Sequence, residues 1–473
     1  MTGLGAPIVL TAGAVAAAVG GQLVTGDPSR VVQGFSIDSR AVRHGDLFIA
    51  IRGDRYDGAA FAAASLAGGA CGVMLRREAG TEPSVTPPDA IVITVRDTTE
   101  ALQTLGQYVR RASGARVTAI TGSAGKTTTK ETAAELLATR YTVYRNPGNF
   151  NNHIGLPLSL LDLRTRPDVA VVELGMNHPG EISRLVEIAE PDVRVWTNVG
   201  DAHLGFFSSP DAIAEAKAEI LERATADTTL VANADDVRVM AHARRFAGRL
   251  VTFGTTAVAD VHATHVNDLG VDGTEAHVRT PAGEAELRVP LVGRGNLMNV
   301  LAAIGVAHVH DVPLPGAAAR IASLRPSKHR GEVVPLRAGV TLLDDSYNSS
   351  PSALMQSLET VARDRRHARK VAVLGEMLEL GAFAHALHVE CGHAAVRAGV
   401  SLLITVGGAP AGAMAAAARE AGLDEPAAVH VGSSAEAADR LLARLAPNDL
   451  VLVKGSRGIG TDLVVARLLS EWS

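Results

Sequence analysis

Apolar β-branched runs recur along this chain, separated by longer stretches in which apolar positions return at helical spacing. The alternation begins weakly. In the first part it predicts strands at Asp46–Ile51 and Ile91–Val95 and Ala-rich helices at Ala59–Ala67 and Glu100–Arg111. From Val117 it becomes regular, with strands at 117–120, 169–172, 193–197, 229–232 and 250–253, the mark of a parallel sheet covered by helices. The rhythm then breaks. Residues 261–290 alternate in period two around a Thr280-Pro-Ala-Gly283 turn, which predicts an antiparallel appendage before a helix at Asn296–Val309. Strand and helix patterns resume at 340–343, 371–374, 402–406, 428–431 and 450–453, as in a separate doubly wound domain. The expected fold is therefore α/β in three domains: a small α/β domain at 1–113, a central phosphate-loop domain with a mostly parallel sheet at 114–325, and a Rossmann-like domain at 326–473.

Composition changes this picture little. Of 473 residues, 47% are hydrophobic and 20% charged, as in a soluble globular protein, and the formal net charge of −5 argues against a general nucleic-acid or membrane-surface binder. The basic run 364–370 reads as a solvated helix end. Cys71 and Cys391 are too few and too far apart for a disulfide framework or zinc site, so they read as buried fillers in a reducing cytoplasm. The uncharged stretch Ile8–Val24 lacks a preceding positive region and is broken by glycines. It predicts a short strand at Ile8–Leu10, Thr11 as helix cap and a small-residue helix to about Val19, not a cleaved signal. Thr81–Pro88 reads as a surface loop.

The most specific chemistry lies at Val117–Lys130. A buried-strand pattern runs into Gly122, Ser123, Ala124 and Gly125, and Lys126, Thr127 and Thr128 then open a helix. Small residues let successive backbone N–H groups converge, the helix start adds partial positive charge, and a lysine reaches the outer phosphates of a nucleotide. The Thr127 hydroxyl suits a Mg²⁺ bridging the β- and γ-phosphates of ATP. Ile120 stands where the commoner pattern has a further glycine, so the loop is the shorter G-x-x-G-K-T form.

Other candidates are ambiguous in isolation. Glu173 ends a buried strand, where it serves either as a second metal ligand or as a carboxylate emerging into solvent. His203 is a ligand or an ordinary loop histidine; Lys217, in a helix at Ala212–Leu221, would by default join a solvated face. The amide-rich string Asn146–His153 caps a turn or holds an anion. Asp345 accepts ribose hydroxyls or caps a helix.

Taken in order, these pieces resemble the Mur ligase family, the ATP-dependent amide-forming enzymes of peptidoglycan synthesis, over nearly the whole chain. Four strings carry the likeness to its D-alanyl-D-alanine-adding branch: Asn149-Phe-Asn-Asn-His-Ile-Gly-Leu-Pro157, Asp344-Asp-Ser-Tyr-Asn-Ser-Ser-Pro351, Leu374-Gly-Glu-Met-Leu-Glu-Leu-Gly381 and Val453-Lys-Gly-Ser-Arg457. The Asp-Asn-Pro-Arg string that selects diaminopimelate in the preceding enzyme is absent.

The resemblance implies that Ser39 and Arg40 meet the uridine nucleotide, that Lys126 and Thr127 hold ATP and Mg²⁺, and that Glu173 and His203 complete the metal sites. Lys217, fourteen residues after His203, falls where the family has a carbamylated lysine. Lys126, His203 and Lys217 are thus the catalytic candidates. Asn296, Asn299, Arg330 and Asp345 match positions around adenine, ribose and phosphates, although the family more often has Gly-Arg where this chain has Arg330-Gly331. Asn149, Asn151, Asn152, Tyr347, Asn348, Lys454 and Ser456 are the remaining substrate candidates. The implied partners are small molecules, UDP-N-acetylmuramoyl-tripeptide and D-alanyl-D-alanine, for a cytoplasmic monomer. A sibling Mur ligase or folylpolyglutamate synthase is the nearest alternative. A regulatory phosphate-loop ATPase is the alternative of another class, although a GTP switch would need an Asn-Lys-x-Asp string that the chain lacks.

Overall fold

The computed structural model describes residues 5–53, 56–77, 89–201 and 204–473. The chain divides into two compact units, residues 1–119 with 140–194, and residues 120–139 with 195–473. Thr81–Pro88 lies outside the described residues.

The first unit opens with five strands, β1 (Gln22–Thr25), β2 (Gly34–Ser36), β3 (Asp46–Ile49), β4 (Gly72–Arg76) and β5 (Ile91–Val95), in the order β1-β5-β4-β3-β2. Only β1 runs antiparallel to its neighbour. Leu47, Ile49, Met74, Ile91 and Ile93 are fully buried, as expected of strands covered on both faces. The helix Thr98–Ser113 follows, with Asp97 accepting from the N–H groups of Thr99 and Glu100 and Gly114 ending it in the left-handed region. Most of β6 (Arg116–Thr121), β7 (Val143–Arg145) and β8 (Val169–Glu173) also belong here, β7 and β8 pairing in parallel.

Two local expectations change. Ile8–Leu10 forms no strand; the Leu10 carbonyl accepts from the Val32 N–H, while Thr11 caps the helix Ala12–Ala18 as expected. Ala59–Ala67 splits into a 3₁₀ turn, Gly58–Phe61, capped by Asp57, and a short helix, Ala62–Ala67.

The second unit carries β9 (Val193–Trp196, its last residues), β10 (Thr229–Asn233), β11 (Arg249–Gly254), β12 (Val261–Asp268), β13 (Thr274–Thr280) and β14 (Gly283–Val289). β10, β11 and the start of β12 are parallel; β12, β13 and β14 are antiparallel, so the predicted appendage is real. The last six strands are β15 (Glu332–Pro335), β16 (Thr341–Asp345), β17 (Arg369–Gly375), β18 (Val400–Val406), β19 (Ala428–Val431) and β20 (Asp449–Lys454), in the order β15-β16-β20-β17-β18-β19. All pairs except β15–β16 are parallel, and one apolar core lies on each face. Crossovers of this kind carry ligands at the carboxyl ends of the strands, where Asp345 and Lys454 stand.

The basic run 364–370 is not simply a solvated helix end. Asp364 and His367 are buried, the Asp364 carboxylate accepting from the His367 N–H and pairing with its ring, while Arg363 and Arg366 pair with Asp268 and Asp272. Both cysteines are free and buried, and burial pushes the Cys391 thiol up to about 12. Among the described residues, no helix is long and apolar enough to cross a membrane.

Candidate active site

The loop after β6 is built from small residues because nothing larger fits. A Cβ on Gly122 would lie 1.9 Å from Thr197 Oγ1, and one on Gly125, at φ +81°, would lie 2.0 Å from Asn299 Oδ1. Gly125 is the residue before the helix Lys126–Leu137 and has no side chain to cap it, which leaves the first N–H groups of that helix facing the loop. The end of β9 holds the loop in shape. Asn198 accepts from the N–H groups of Ser123 (through its carbonyl, 3.1 Å) and Ala124 (through Oδ1, 2.9 Å), and Thr197 Oγ1 donates to the Ala124 carbonyl at 2.7 Å. The Lys126 ammonium lies across the loop and donates to the Gly122 carbonyl at 2.8 Å. Behind it, Asn299 links Thr129 Oγ1 at 3.3 Å to Asn296 Oδ1 at 3.0 Å, so both predicted asparagines stand against the loop's helix.

Lys217 contradicts the solvated default for a helix lysine. It is 1% exposed, in a helix that ends at Ala218 and passes into a 3₁₀ turn, Glu219–Leu221, three residues earlier than predicted. Burial drives its pKa well below the ordinary lysine value, and the nearby Lys126 charge pushes it further the same way. His203 lies outside the described residues.

A second cluster gathers at the ends of β16 and β20. Lys454, 4% exposed, donates to Asp345 Oδ2 at 2.6 Å and to the Asn348 carbonyl at 3.0 Å, and Ser357 Oγ donates to the same Asp345 oxygen at 2.9 Å. Asp345 therefore does not cap a helix. Next to it, the Arg330 guanidinium lies 3.9 Å over the Tyr347 ring, with Arg457 at 5.7 Å, an arrangement of stacked cations suited to anion recognition. Ser456 Oγ donates to the Ser349 carbonyl and accepts from the Leu378 N–H. Ser349 Oγ is buried with no hydrogen-bond partner among the described residues.

In the first unit, Glu173 is 3% exposed and does not emerge into solvent. Its Oε1 accepts from Asn151 Nδ2 at 2.8 Å and its N–H donates to Asn146 Oδ1. The amide string thus serves local structure in part: Asn152 Oδ1 accepts from the Ile154 and Gly155 N–H groups at a helix start, while Asn149 is exposed. Also in the first unit, Asp38 accepts from the Arg40 N–H and guanidinium, which holds its carboxyl at about 2; Arg40 remains 87% exposed, with Ser39 half-buried beside it. Among the described residues no three His, Cys, Asp or Glu side chains gather into a metal site.

Comparison with known proteins adds to this geometry. Three family models match successive stretches: the Mur ligase family catalytic domain at 31–110, the Mur ligase middle domain at 120–307 and the Mur ligase glutamate ligase domain at 329–457. The chain belongs to the Mur ligase family. This Mur ligase is 31% identical to the UDP-N-acetylmuramoyl-tripeptide--D-alanyl-D-alanine ligase of Bacillus subtilis, over 93% of its own length and 94% of the relative's. It is 35% identical to the enzyme of that name from Mycobacterium bovis, with 98% of each chain covered. Its three-domain α/β fold is that of solved MurF structures: one from Acinetobacter baumannii superposes with a TM-score of 0.87 at 28% identity, covering 98% of this chain and all of the other. MurF from Thermotoga maritima in complex with ADP gives 0.80 at 28% identity, with 93% and 98% covered.

Several contributors escaped sequence reasoning. Asn198, Thr197, Asp201, Ser352 and Ser357 are short polar residues after strands or within a helix, and only the tertiary contacts single them out.

Proposed function

We propose that this Mur ligase joins D-alanyl-D-alanine to UDP-N-acetylmuramoyl-tripeptide with ATP, through an acyl phosphate, in peptidoglycan precursor synthesis. The observation that carries the reading is the phosphate loop, with Lys126 folded over it, in the same compact unit as the buried, charge-depleted Lys217 and the Asp345–Lys454 cluster. The relatives' names supply the substrates.

The terminal carboxylate of the tripeptide attacks the γ-phosphorus of ATP. An oxygen–phosphorus bond forms as the bond to the β,γ-bridging oxygen breaks, leaving ADP and an acyl phosphate. Two anions must meet for this, so Lys126 exchanges the Gly122 carbonyl for phosphate oxygens, and the N–H groups at the start of its helix face the same charge. The uncharged amine of the dipeptide then adds to the acyl carbon and loses a proton, and phosphate departs with the carbon–oxygen pair. No protein nucleophile takes part. Asp345 suits ribose hydroxyls, and Asn296 and Asn299 suit the base. Arg330 and Tyr347 serve anion binding, while Asn348, Lys454 and Ser456 shape the end of the third domain that faces the amine.

The donor set fits Mg²⁺. Thr127 supplies a hydroxyl, and the lowered pKa of Lys217 favours the free amine that takes up CO₂ to become an anionic carbamate; both are hard oxygen donors. The family pattern adds Glu173 and His203 as candidate metal ligands. Mg²⁺ bound there would neutralise phosphate charge. Ser39 and Arg40 are the proposed uridine contacts, and 1–113, 114–325 and 326–473 the functional division into acceptor, ATP and amine domains.

Phosphate release from MgATP, measured with both substrates and with each omitted, tests this. Release that needs both, with the UDP-pentapeptide seen by mass, is expected. Release with another amine would move the chain to a sibling activity, and release indifferent to both would favour a regulatory ATPase.

A further inference from the structure

The helix Pro351–Arg363 begins without a cap of its own: Ser350, at the capping position, makes no side-chain hydrogen bond to the helix backbone. The missing acceptor comes from 151 residues earlier in the chain. Asp201 Oδ1 accepts from Ser352 Oγ at 2.7 Å, and Asp201 Oδ2 accepts from the Ser352 N–H at 3.0 Å. A carboxylate at this end satisfies an orphan N–H and meets the positive end of the helix dipole.

Each side of the contact leads to a substrate candidate. On one side, Ser123 of the phosphate loop accepts from the Gly200 N–H at 2.8 Å, and Asp236 and Asn233 pin Val199 and Thr197. On the other, Ser357, one and a half turns along the capped helix, donates to Asp345, which holds Lys454. A second tie lies close by, where the Gly205 N–H donates to the Glu379 carbonyl at 2.7 Å, within the Leu374–Gly381 string.

From this we infer that Asp201 is a positioning residue, a latch that caps a helix of the third domain from the central one and so couples the phosphate loop to the amine end of the site. The inference rests on the ligase reading and deepens it. With the latch made, the acyl phosphate forms only where the amine site has been assembled around it. With the latch lost, the intermediate meets water before the amine.

The test uses the full chain with D201N, S352A and the double variant. In the absence of substrates, hydrogen exchange is read at the Ser352 and Ala353 amides. With MgATP and both substrates, phosphate released is compared with UDP-pentapeptide formed. D201N keeps the side-chain size and is expected to leave the thermal midpoint near the wild type. Its Ser352 amide should exchange faster, product turnover should fall roughly tenfold, as for loss of a charge-assisted hydrogen bond, and phosphate should outrun product. S352A loses the hydroxyl bond but keeps the backbone N–H that Asp201 holds, so turnover and the phosphate-to-product ratio should shift the same way with a smaller change in exchange, and the double variant should lose no more than D201N alone. Unchanged exchange in D201N, a phosphate-to-product ratio that stays at one, or additive losses would each overturn the latch. Exchange decides it even if the wild type proves to ligate another amine, an outcome that would fall on the functional reading alone.

Discussion

Lys217 and Lys454 are both buried, 1% and 4% exposed, and the two regions of the second unit that hold them treat the charge in opposite ways. Around Lys454 the third domain supplies a carboxylate at 2.6 Å and a carbonyl at 3.0 Å, so the ammonium is compensated in place. Around Lys217 the charge that acts on the buried amine is the like charge of Lys126. Burial without compensation disfavours an ammonium and leaves an amine. One lysine is thus a fixed cation in a polar cluster. The other is a site prepared to become something else.

That difference breaks most visibly on substitution. Lys217→Met removes the reactive amine but also the uncompensated group, so ligation should fall on the order of 10²-fold or more, with stability at neutral pH equal to or above the wild type's in urea melts. A variant that loses fold and activity together would place Lys217 among structural groups. Lys454→Met should behave in reverse on the stability axis. It strands Asp345, and with that carboxylate 22% exposed the cost should be about 2–3 kcal/mol. Equal stability of the two Met variants would erase the contrast.

The pH dependence sharpens it. The Lys217 pKa is lower in the folded chain than in the unfolded one, so between the two values the unfolded chain binds an extra proton and stability rises with pH, by at most about 1.4 kcal/mol per unit. Below the folded value the penalty of charging the buried amine is constant. In CO₂-free buffer, the wild type should therefore gain stability relative to Lys217→Met as pH rises toward the ordinary lysine range; parallel curves would contradict the lowered pKa. The smallest effect belongs to Arg40, an exposed cation whose carboxylate partner Asp38 is held at about 2. Arg40→Ala should leave the thermal midpoint unmoved, as a surface pair does, while raising KM for the uridine nucleotide. An unchanged KM would remove Arg40 from the acceptor site.

These residues also show what a sequence reveals and what it withholds. The phosphate loop was legible because its chemistry is local: Gly122, Gly125 and Lys126 are neighbours in the chain, and the backbone there forbids larger residues. The parallel strands were legible because burial on both faces writes unbroken apolar runs, and their centres stand where expected, with ends shifted by a few residues. Short or edge strands such as β1, β7 and β15 carry too few buried positions to announce themselves. Lys217 looked like any helix lysine until the resemblance singled it out, since burial is decided by what packs over it. Asp201 gave no signal at all, because the helix it caps begins 150 residues away.

On the proposed mechanism an acyl phosphate, and no protein nucleophile, links ATP to the new amide. The most direct measurement uses tripeptide nucleotide whose terminal carboxylate carries ¹⁸O in both positions, turned over with MgATP and D-alanyl-D-alanine. One ¹⁸O is expected in each phosphate released and one retained in the amide, read by ³¹P shift and by mass. Phosphate free of ¹⁸O would mean that the carboxylate never attacked phosphorus, and would contradict that mechanism.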